Sequence, residues 1–343
     1  MVDWLVITAD GVDAGRGVRG YALAWFLETY FGKGQVAALT PEEFRKSPVR
    51  ADTLCLGLPS SRSPEEIEQL IRDAGPRRIA VFDYLDQHEL AWTAEQATLL
   101  RRHTDLYFKP WFEPSWSYDL RMGLLPLRIR GRVSAAVMLD RVARRLGRRP
   151  QPRHDVAFLG RPNRTRLLRN GEVEKYDQRL EWLREIQLEA PELEFWGGLS
   201  RGDDPDHAEQ VKRFGDFTDL RYPGGKARFF SFWQALSHSR VLLAPGGNVP
   251  WTYRHYECLY AGGVVVTIDY RQRDMLIPLP VDLMVHVPDR AAVLPSIRQA
   301  LEYSESRPWL RDDVYLHLDR YLKRGAYSAD RPRLIERFQK QFE

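Results

Sequence analysis

Short apolar, β-rich runs alternate with helix-like stretches twice along this chain, and a Gly-, Pro- and Arg-rich break separates the two series. A strand followed by a helix of roughly 10–15 residues returns to pair in parallel with its neighbour, so each series predicts a parallel sheet with helices on both faces. In the first series the strand candidates are Trp4–Thr8, Gln35–Leu39, Asp52–Leu58, Arg78–Phe82 and Asp105–Phe108. Helices are expected over Tyr21–Phe31, Pro41–Arg45 and Glu89–Arg102. Another should start at Pro64, where Ser63 supplies the cap and Glu65 and Glu66 the acidic first turn.

The pattern breaks between about Ser117 and Pro152, where an Arg-rich amphipathic helix up to Arg145 is followed by Gly147–Pro152. The second series then runs through strands at Asp155–Gly160, Glu194–Trp196, Arg240–Ala244 and Val264–Ile268. Helices are expected between them at Val173–Ala190, Phe229–Ser237 and Thr252–Tyr260, and the tail from Arg298 reads as mostly helical. A chain of 343 residues fits two cores. The expected fold is α/β: two Rossmann-like βαβ domains facing a central cleft, with the C-terminal helices packing back. The expected divisions are an acceptor-side domain at 1–120, an Arg-rich linker and helix at 121–152, a donor domain at 153–300 and C-terminal helices at 301–343.

Lys plus Arg number 51 against 47 Asp plus Glu, too mild an excess to argue for a nucleic-acid partner. The two cysteines, Cys55 and Cys258, lie in apolar runs and read as buried free thiols, not as a disulfide or a metal site. With no basic leader at the start and no apolar run of about 18 residues, the expected location is the cytoplasm.

The segment richest in chemistry is Leu243-Ala-Pro-Gly-Gly-Asn-Val-Pro-Trp-Thr-Tyr-Arg-His-Tyr-Glu-Cys-Leu-Tyr-Ala-Gly-Gly-Val-Val-Val266. A buried strand ends in Pro245-Gly246-Gly247, whose bare backbone lets N–H groups approach a ligand, and a helix start favours an anion such as a diphosphate. Arg254 and Glu257 are three apart and share one helix face. An Arg there pairs with phosphate, and a Glu one turn later accepts from both ribose hydroxyls. The bland alternative is an exposed ion pair worth a few tenths of a kcal/mol.

Over Asp155–Asp269 this pattern resembles the GT-B glycosyltransferases, especially the exostosin-like and related bacterial enzymes with an R-x-x-E donor motif. The resemblance implies that Glu257 holds the donor ribose and Arg254 the phosphates or the sugar. It makes Gly160, Arg161 and Arg164, in the turn after the first strand of the second series, further donor contacts. It also implies a nucleotide-sugar co-substrate and no bound cofactor or metal, because cationic side chains and helix dipoles neutralise the leaving diphosphate. Uridine, guanosine, thymidine and cytidine donors all suit the motif.

In the first half, Gly15-Arg-Gly-Val-Arg-Gly20 matches the glycine spacing of a dinucleotide loop. Six residues separate the strand from Gly15, however, and Leu39-Thr40-Pro41 stands where the fingerprint wants an acid. Inverting transfer needs a base at a strand end, for which Asp10, Asp83, Asp86 and His88 are the candidates. Lys109 ends another strand and reads equally as a site residue or a solvated amine. The Arg-rich stretch is either a solvated basic face or a peripheral contact with anionic membrane at its inner face.

The expected activity is therefore transfer of a sugar from a nucleotide-sugar donor to a glycan or lipid-linked acceptor, in a setting such as bacterial surface-polysaccharide or glycoconjugate synthesis. The alternatives are an NAD-dependent oxidoreductase or nucleotide-sugar epimerase using Gly15–Gly20, or a non-catalytic sugar- or nucleotide-binding protein.

Overall fold

The computed structural model describes residues 1–8, 22–57, 62–83, 89–109, 119–124, 131–148, 150–162, 176–200, 207–225, 227–246, 252–269, 280–288, 290–306 and 331–343. These fall into two compact units. Unit 1 takes residues 1–124 together with 331–343, and unit 2 takes 131–269 and 280–306.

Unit 1 is a six-stranded parallel sheet of β1 (Val2–Ile7), β2 (Val36–Leu39), β3 (Ala51–Gly57), β4 (Arg78–Phe82), β5 (Leu106–Lys109) and β6 (Arg121–Leu124), in the order β2-β1-β3-β4-β5-β6. Its helices are α1 (Ala22–Tyr30), α2 (Pro41–Lys46), α3 (Pro64–Ala74) and α4 (Ala94–Leu100). The last three begin at Thr40, Ser63 and Thr93, each in a reciprocal capping box with Glu43, Glu66 or Gln96 three residues on. That chemistry was legible for α3. Strand β6 was not: it pairs in parallel with β5, so the first series continues past the point where the alternation of apolar runs fades.

Leu5, Ile7, Leu54, Leu56, Val81 and Tyr107 fill one side of the sheet against Ile67 and Leu70 of α3. On β1 and β5, Trp4 and Phe108 meet the C-terminal helix (Arg331–Gln339) through Phe338. The Phe338 ring is fully buried, 5.3 Å from Trp4, 5.0 Å from Phe26 and stacked on Phe108 at 5.5 Å. Arg331 fixes the start of this helix by donating twice to the Tyr30 carbonyl, at 2.9 and 2.7 Å. The chain end thus packs back onto unit 1.

Unit 2 contains helix α5 (Gly131–Arg145) and a five-stranded parallel sheet of β7 (His154–Gly160), β8 (Phe195–Leu199), β9 (Ser239–Ala244), β10 (Val264–Ile268) and β11 (Met284–Val287), ordered β11-β10-β9-β7-β8. Its other helices are α6 (Gln178–Glu189), α7 (His207–Phe214), α8 (Phe229–Ser237), α9 (Tyr253–Ala261) and α10 (Leu294–Ser306); α11 (Arg331–Gln339) is the terminal helix of unit 1. Helix α5, read from sequence as part of a linker, packs on α9 within unit 2. Glycine is obligatory at 197, where φ is +119° and a Cβ would stand 1.7 Å from the Phe158 carbonyl oxygen. It is favoured at 262, the left-handed C-cap of α9.

Both sheets are wholly parallel, so the expected α/β class with two Rossmann-like domains is what the chain adopts. Among the described residues, no helix is long and apolar enough to cross a membrane.

Candidate functional site

In unit 2 the strand order counts, from its own first strand, 2-1-3-4-5. The winding direction reverses between β7 and β9, and at such a reversal the loops leaving the carboxyl ends of the two strands part and leave a crevice. Two of the predicted turns sit there. Gly160 closes β7 with Arg161 exposed beyond it, and Pro245-Gly246 follow β9. The glycine at 160 has a packing reason of its own, since a Cβ there would lie 2.6 Å from the Phe158 ring.

Two residues that the sequence reading passed over tie these turns together. Gln178 accepts from the Gly246 N–H at 2.8 Å. Arg179 donates through Nε to the Gly246 carbonyl at 3.1 Å and through Nη1 to the Arg161 carbonyl at 2.6 Å. Both stand at the start of α6, which Asp177 caps by accepting from the N–H groups of Arg179 and Leu180. Asp177 was the available signal, because an Asp before an apolar helical run is a cap, and it puts the start at Gln178 instead of Val173.

Helix α9 begins beside the same crevice. Thr252 caps it by accepting from Arg254 N–H, and His255 takes the place a Glu usually fills in the capping box. His255 Nδ1 accepts from Thr252 N–H at 3.0 Å, which leaves the proton on Nε2. That nitrogen donates to the Thr267 hydroxyl at 2.9 Å, and Thr267 donates in turn to the Ala244 carbonyl at 2.9 Å. The ring thereby ties the α9 start to the ends of β9 and β10. Full burial pushes its pKa down to about 3, and the neighbouring Arg179 and Arg254 add to that, so the ring stays neutral.

Arg254 and Glu257 do share one face, but they are not an exposed pair. The Glu257 side chain is only 6% accessible and the Arg254 side chain 22%. Arg254 Nη1 stands 3.1 Å from Glu257 Oε2. On the other side, Arg132 of α5 donates from Nη2 to Glu257 Oε1 at 3.2 Å. Beneath the two guanidiniums lie two rings of α8, one turn apart: Phe232 under Arg254 at 4.4 Å and Phe229 under Arg132 at 4.8 Å. Three helices therefore converge on one buried carboxylate and leave the cluster with a net positive charge. Arg132 was assigned from sequence only to a basic stretch, and its partner lies 125 residues away.

In unit 1, Asp83 follows β4 and is buried. Its two oxygens accept from the fully buried Lys109 Nζ at 2.8 and 2.9 Å, and Tyr107 donates its hydroxyl to the same carboxylate. Lys109 Nζ also donates to the Glu89 carbonyl at 3.1 Å, and the Ala91 N–H donates to the Tyr107 hydroxyl at 2.9 Å. Burial, and then the Asp83 charge, raise the Tyr107 pKa well above its ordinary value, so it remains a phenol and a donor. Lys109 is thus no solvated amine, and Asp83 anchors the chain between β4 and Ala91. Asp10, Asp86, His88, Arg164, Gly247 and the loop Gly15–Gly20 lie outside the described residues.

Neither a protein-family model nor a curated protein matches the sequence. Solved structures do. The chain is similar to a UDP-forming α,α-trehalose-phosphate synthase from Burkholderia xenovorans, at 13% identity and a TM-score of 0.43, covering 88% of this chain and 76% of that one. It is similar to the pneumococcal O-GlcNAc transferase GtfA, solved with UDP and GlcNAc, at 10% identity and 0.41, covering 88% and 58%. It is also similar to a putative UDP-N-acetylglucosamine 2-epimerase from Listeria monocytogenes, at 10% identity and 0.39, covering 100% and 97%. Likeness this remote carries no chemistry, which rests on the residues around Glu257.

Proposed function

We propose that the chain is a GT-B-type glycosyltransferase whose nucleotide-sugar donor binds in unit 2, at the β7/β9 crevice and along the first turns of α9. The observation that carries this reading is Glu257: a buried carboxylate one turn into α9, flanked by two arginines and lying beside the strand-order reversal. Its oxygens suit the paired hydroxyls of a ribose, which would take over the hydrogen bond now made by Arg132. The displaced guanidinium and Arg254 then face a diphosphate, whose charge grows as the sugar leaves, so their stabilisation is largest in the transition state. Arg161 is proposed to complete the phosphate contacts with the backbone N–H of Gly247, because the Gly246 N–H is committed to Gln178.

The general base stays with Asp10, Asp86 and His88, since the oxygens of Asp83 are committed to Lys109 and Tyr107. The acceptor is proposed to be a glycan or a lipid-linked saccharide, as in bacterial surface-polysaccharide or glycoconjugate synthesis. Metal-independent transfer belongs to this reading, so chelation with EDTA is expected to leave turnover unchanged.

The test is a thermal-shift screen against UDP, GDP, CMP, ADP, dTDP and NAD. A ligand at about 100 times its dissociation constant stabilises the fold by about 2.7 kcal/mol. One nucleotide should stabilise wild type selectively and leave Glu257→Ala unmoved. A response to NAD alone would move the ligand site to Gly15–Gly20 and sink the proposal. Turnover of the responding donor, read by mass spectrometry with and without saccharide acceptors, then separates a transferase from a binding protein.

A further inference from the structure

Among the described residues seven large apolar side chains are exposed, and four of them lie on α5 and its last turn: Met138, Leu139, Val142 and Leu146. They are 50–71% accessible, where Val133, Ala136 and Val137 on the opposite side of the helix are 1–2% accessible and pack inward. Positions 138, 142 and 146 are spaced by four with 139 beside them, so they make one continuous stripe on the outer face. Scattered exposed leucines need no explanation, but a contiguous apolar stripe on a helix already packed by its other face does.

Charge identifies what covers it. Residues 138–148, which carry the stripe, hold four arginines and one aspartate, a net of +3 within a 343-residue chain whose formal net charge is +4. Arg141 and Arg145 border the stripe and Arg148 follows the last turn. An apolar strip with arginine along one side is the pattern of a helix lying in a bilayer interface, its apolar groups at the acyl boundary and its cations among anionic headgroups.

We propose that the outer face of α5 is a docking surface for an anionic membrane, with Met138, Leu139, Val142 and Leu146 inserting and Arg145 and Arg148 meeting phosphate headgroups. This does not depend on the reaction assigned to unit 2, because it rests on exposure and charge alone. It gives helix α5 two roles at opposite ends, since Arg132 at its start reaches Glu257.

Flotation of the full chain with vesicles tests it. With equimolar phosphatidylglycerol and phosphatidylcholine the protein should float, and with phosphatidylcholine alone it should stay behind. Raising salt should weaken binding, because exposed charges are screened. Leu139→Glu combined with Val142→Glu should lower the bound fraction roughly tenfold or more with an unchanged melting temperature. Arg145→Gln with Arg148→Gln should do so by a similar factor, about fivefold for each charge lost near the surface.

Absence of flotation, equal flotation on phosphatidylcholine alone, or full flotation of either variant overturns the proposal. So does a wild-type dimer in sedimentation velocity that Leu139→Glu/Val142→Glu converts to monomer, which would make the stripe an interface between copies. A vesicle-bound protein that responds to no nucleotide would leave this inference standing and the donor site refuted.

Discussion

Asp83 in unit 1 and Glu257 in unit 2 are both buried carboxylates set against cations, and the two clusters are built differently. Around Asp83 there is one Lys, one Tyr and one Asp; every strong donor of Lys109 has an acceptor, and the Lys and Asp side chains are 0% and 2% accessible. The group is neutral in sum and closed to water. Around Glu257 there are two arginines for one carboxylate, and Arg132 keeps 48% of its side chain accessible. A closed, balanced cluster spends its hydrogen bonds on holding strands and loop together. An open cluster with surplus positive charge at a strand-order reversal has capacity left for an anion. The same ingredients therefore make a brace in unit 1 and a candidate binding site in unit 2.

Removing each carboxylate's function should separate the two roles most sharply. Glu257→Gln keeps the shape and removes the charge; it is expected to abolish nucleotide stabilisation and to lower turnover of the matching donor by about 100-fold or more, while the melting temperature without ligand changes little. Equal turnover in wild type and Glu257→Gln would reduce the unit 2 cluster to a brace like the other.

The next effect is on stability and falls in unit 1. Lys109→Met leaves Asp83 buried without its cation, and breaking a buried pair from one side costs about 3–5 kcal/mol. Adding Asp83→Leu to Lys109→Met removes the orphaned charge and should restore much of the loss, unlike any second change at Glu257. Thermal or urea unfolding of the single and double variants reads this directly. A Lys109→Met protein as stable as wild type would show that the closed cluster braces nothing.

How much of this was written in the chain differs between the same two places. Nine of the eleven strands were legible because a strand buried on both faces is a continuous apolar run, as in Val264–Ile268, whereas the four-residue β11 at Met284–Val287 was not read as a strand. The R-x-x-E helix was legible because Arg254 and Glu257 are local and lie between a Pro-Gly turn and a Gly-Gly cap. Lys109 and Asp83 were each noticed at strand ends, but their pairing was hidden, since it depends on β4 and β5 being neighbours in the sheet. Arg132 was hidden more deeply, because nothing in a basic stretch tells which arginine will face a carboxylate 125 residues away. Strand β6 escaped because Arg121-Met-Gly-Leu124 is short and not uniformly apolar. The exposed stripe on α5 was read only as arginines, since which face a helix turns outward is decided by what it packs on.

A third, smaller effect concerns how unit 2 responds to acid. His255 is neutral in the fold, with its pKa lowered to about 3, whereas in the unfolded chain it returns to about 6.5. As pH falls below about 6.5 the unfolded chain takes up a proton that the folded chain refuses, so stability drops until the folded ring titrates near 3. His255→Gln, whose amide oxygen can still accept from Thr252 N–H, lacks this titration. The stability of wild type relative to His255→Gln should therefore decline between pH 6.5 and 4, measured as urea midpoints at several pH values. A constant difference would mean that the ring is protonated inside the fold, contrary to its acceptor role at Nδ1.

The smallest effect sharpens the comparison at Arg132, the open edge of the Glu257 cluster. If its hydrogen bond to Glu257 yields to ribose and its charge then serves phosphate, Arg132→Lys keeps the charge but loses the planar fork and the stacking on Phe229. Arg132→Gln loses the charge as well. The expected order is therefore wild type above Lys above Gln in affinity for the nucleoside diphosphate, with steps of about 3- to 10-fold, each worth about 1 kcal/mol. Affinity for the nucleoside alone, which has ribose but no phosphate, should move the other way or stay level, because the competitor for Glu257 has been weakened. Calorimetric titration of both ligands into the three proteins distinguishes this from a purely structural arginine, whose loss would weaken nucleoside and diphosphate in the same proportion. Only a residue that guards the carboxylate before binding and meets phosphate after it splits the two.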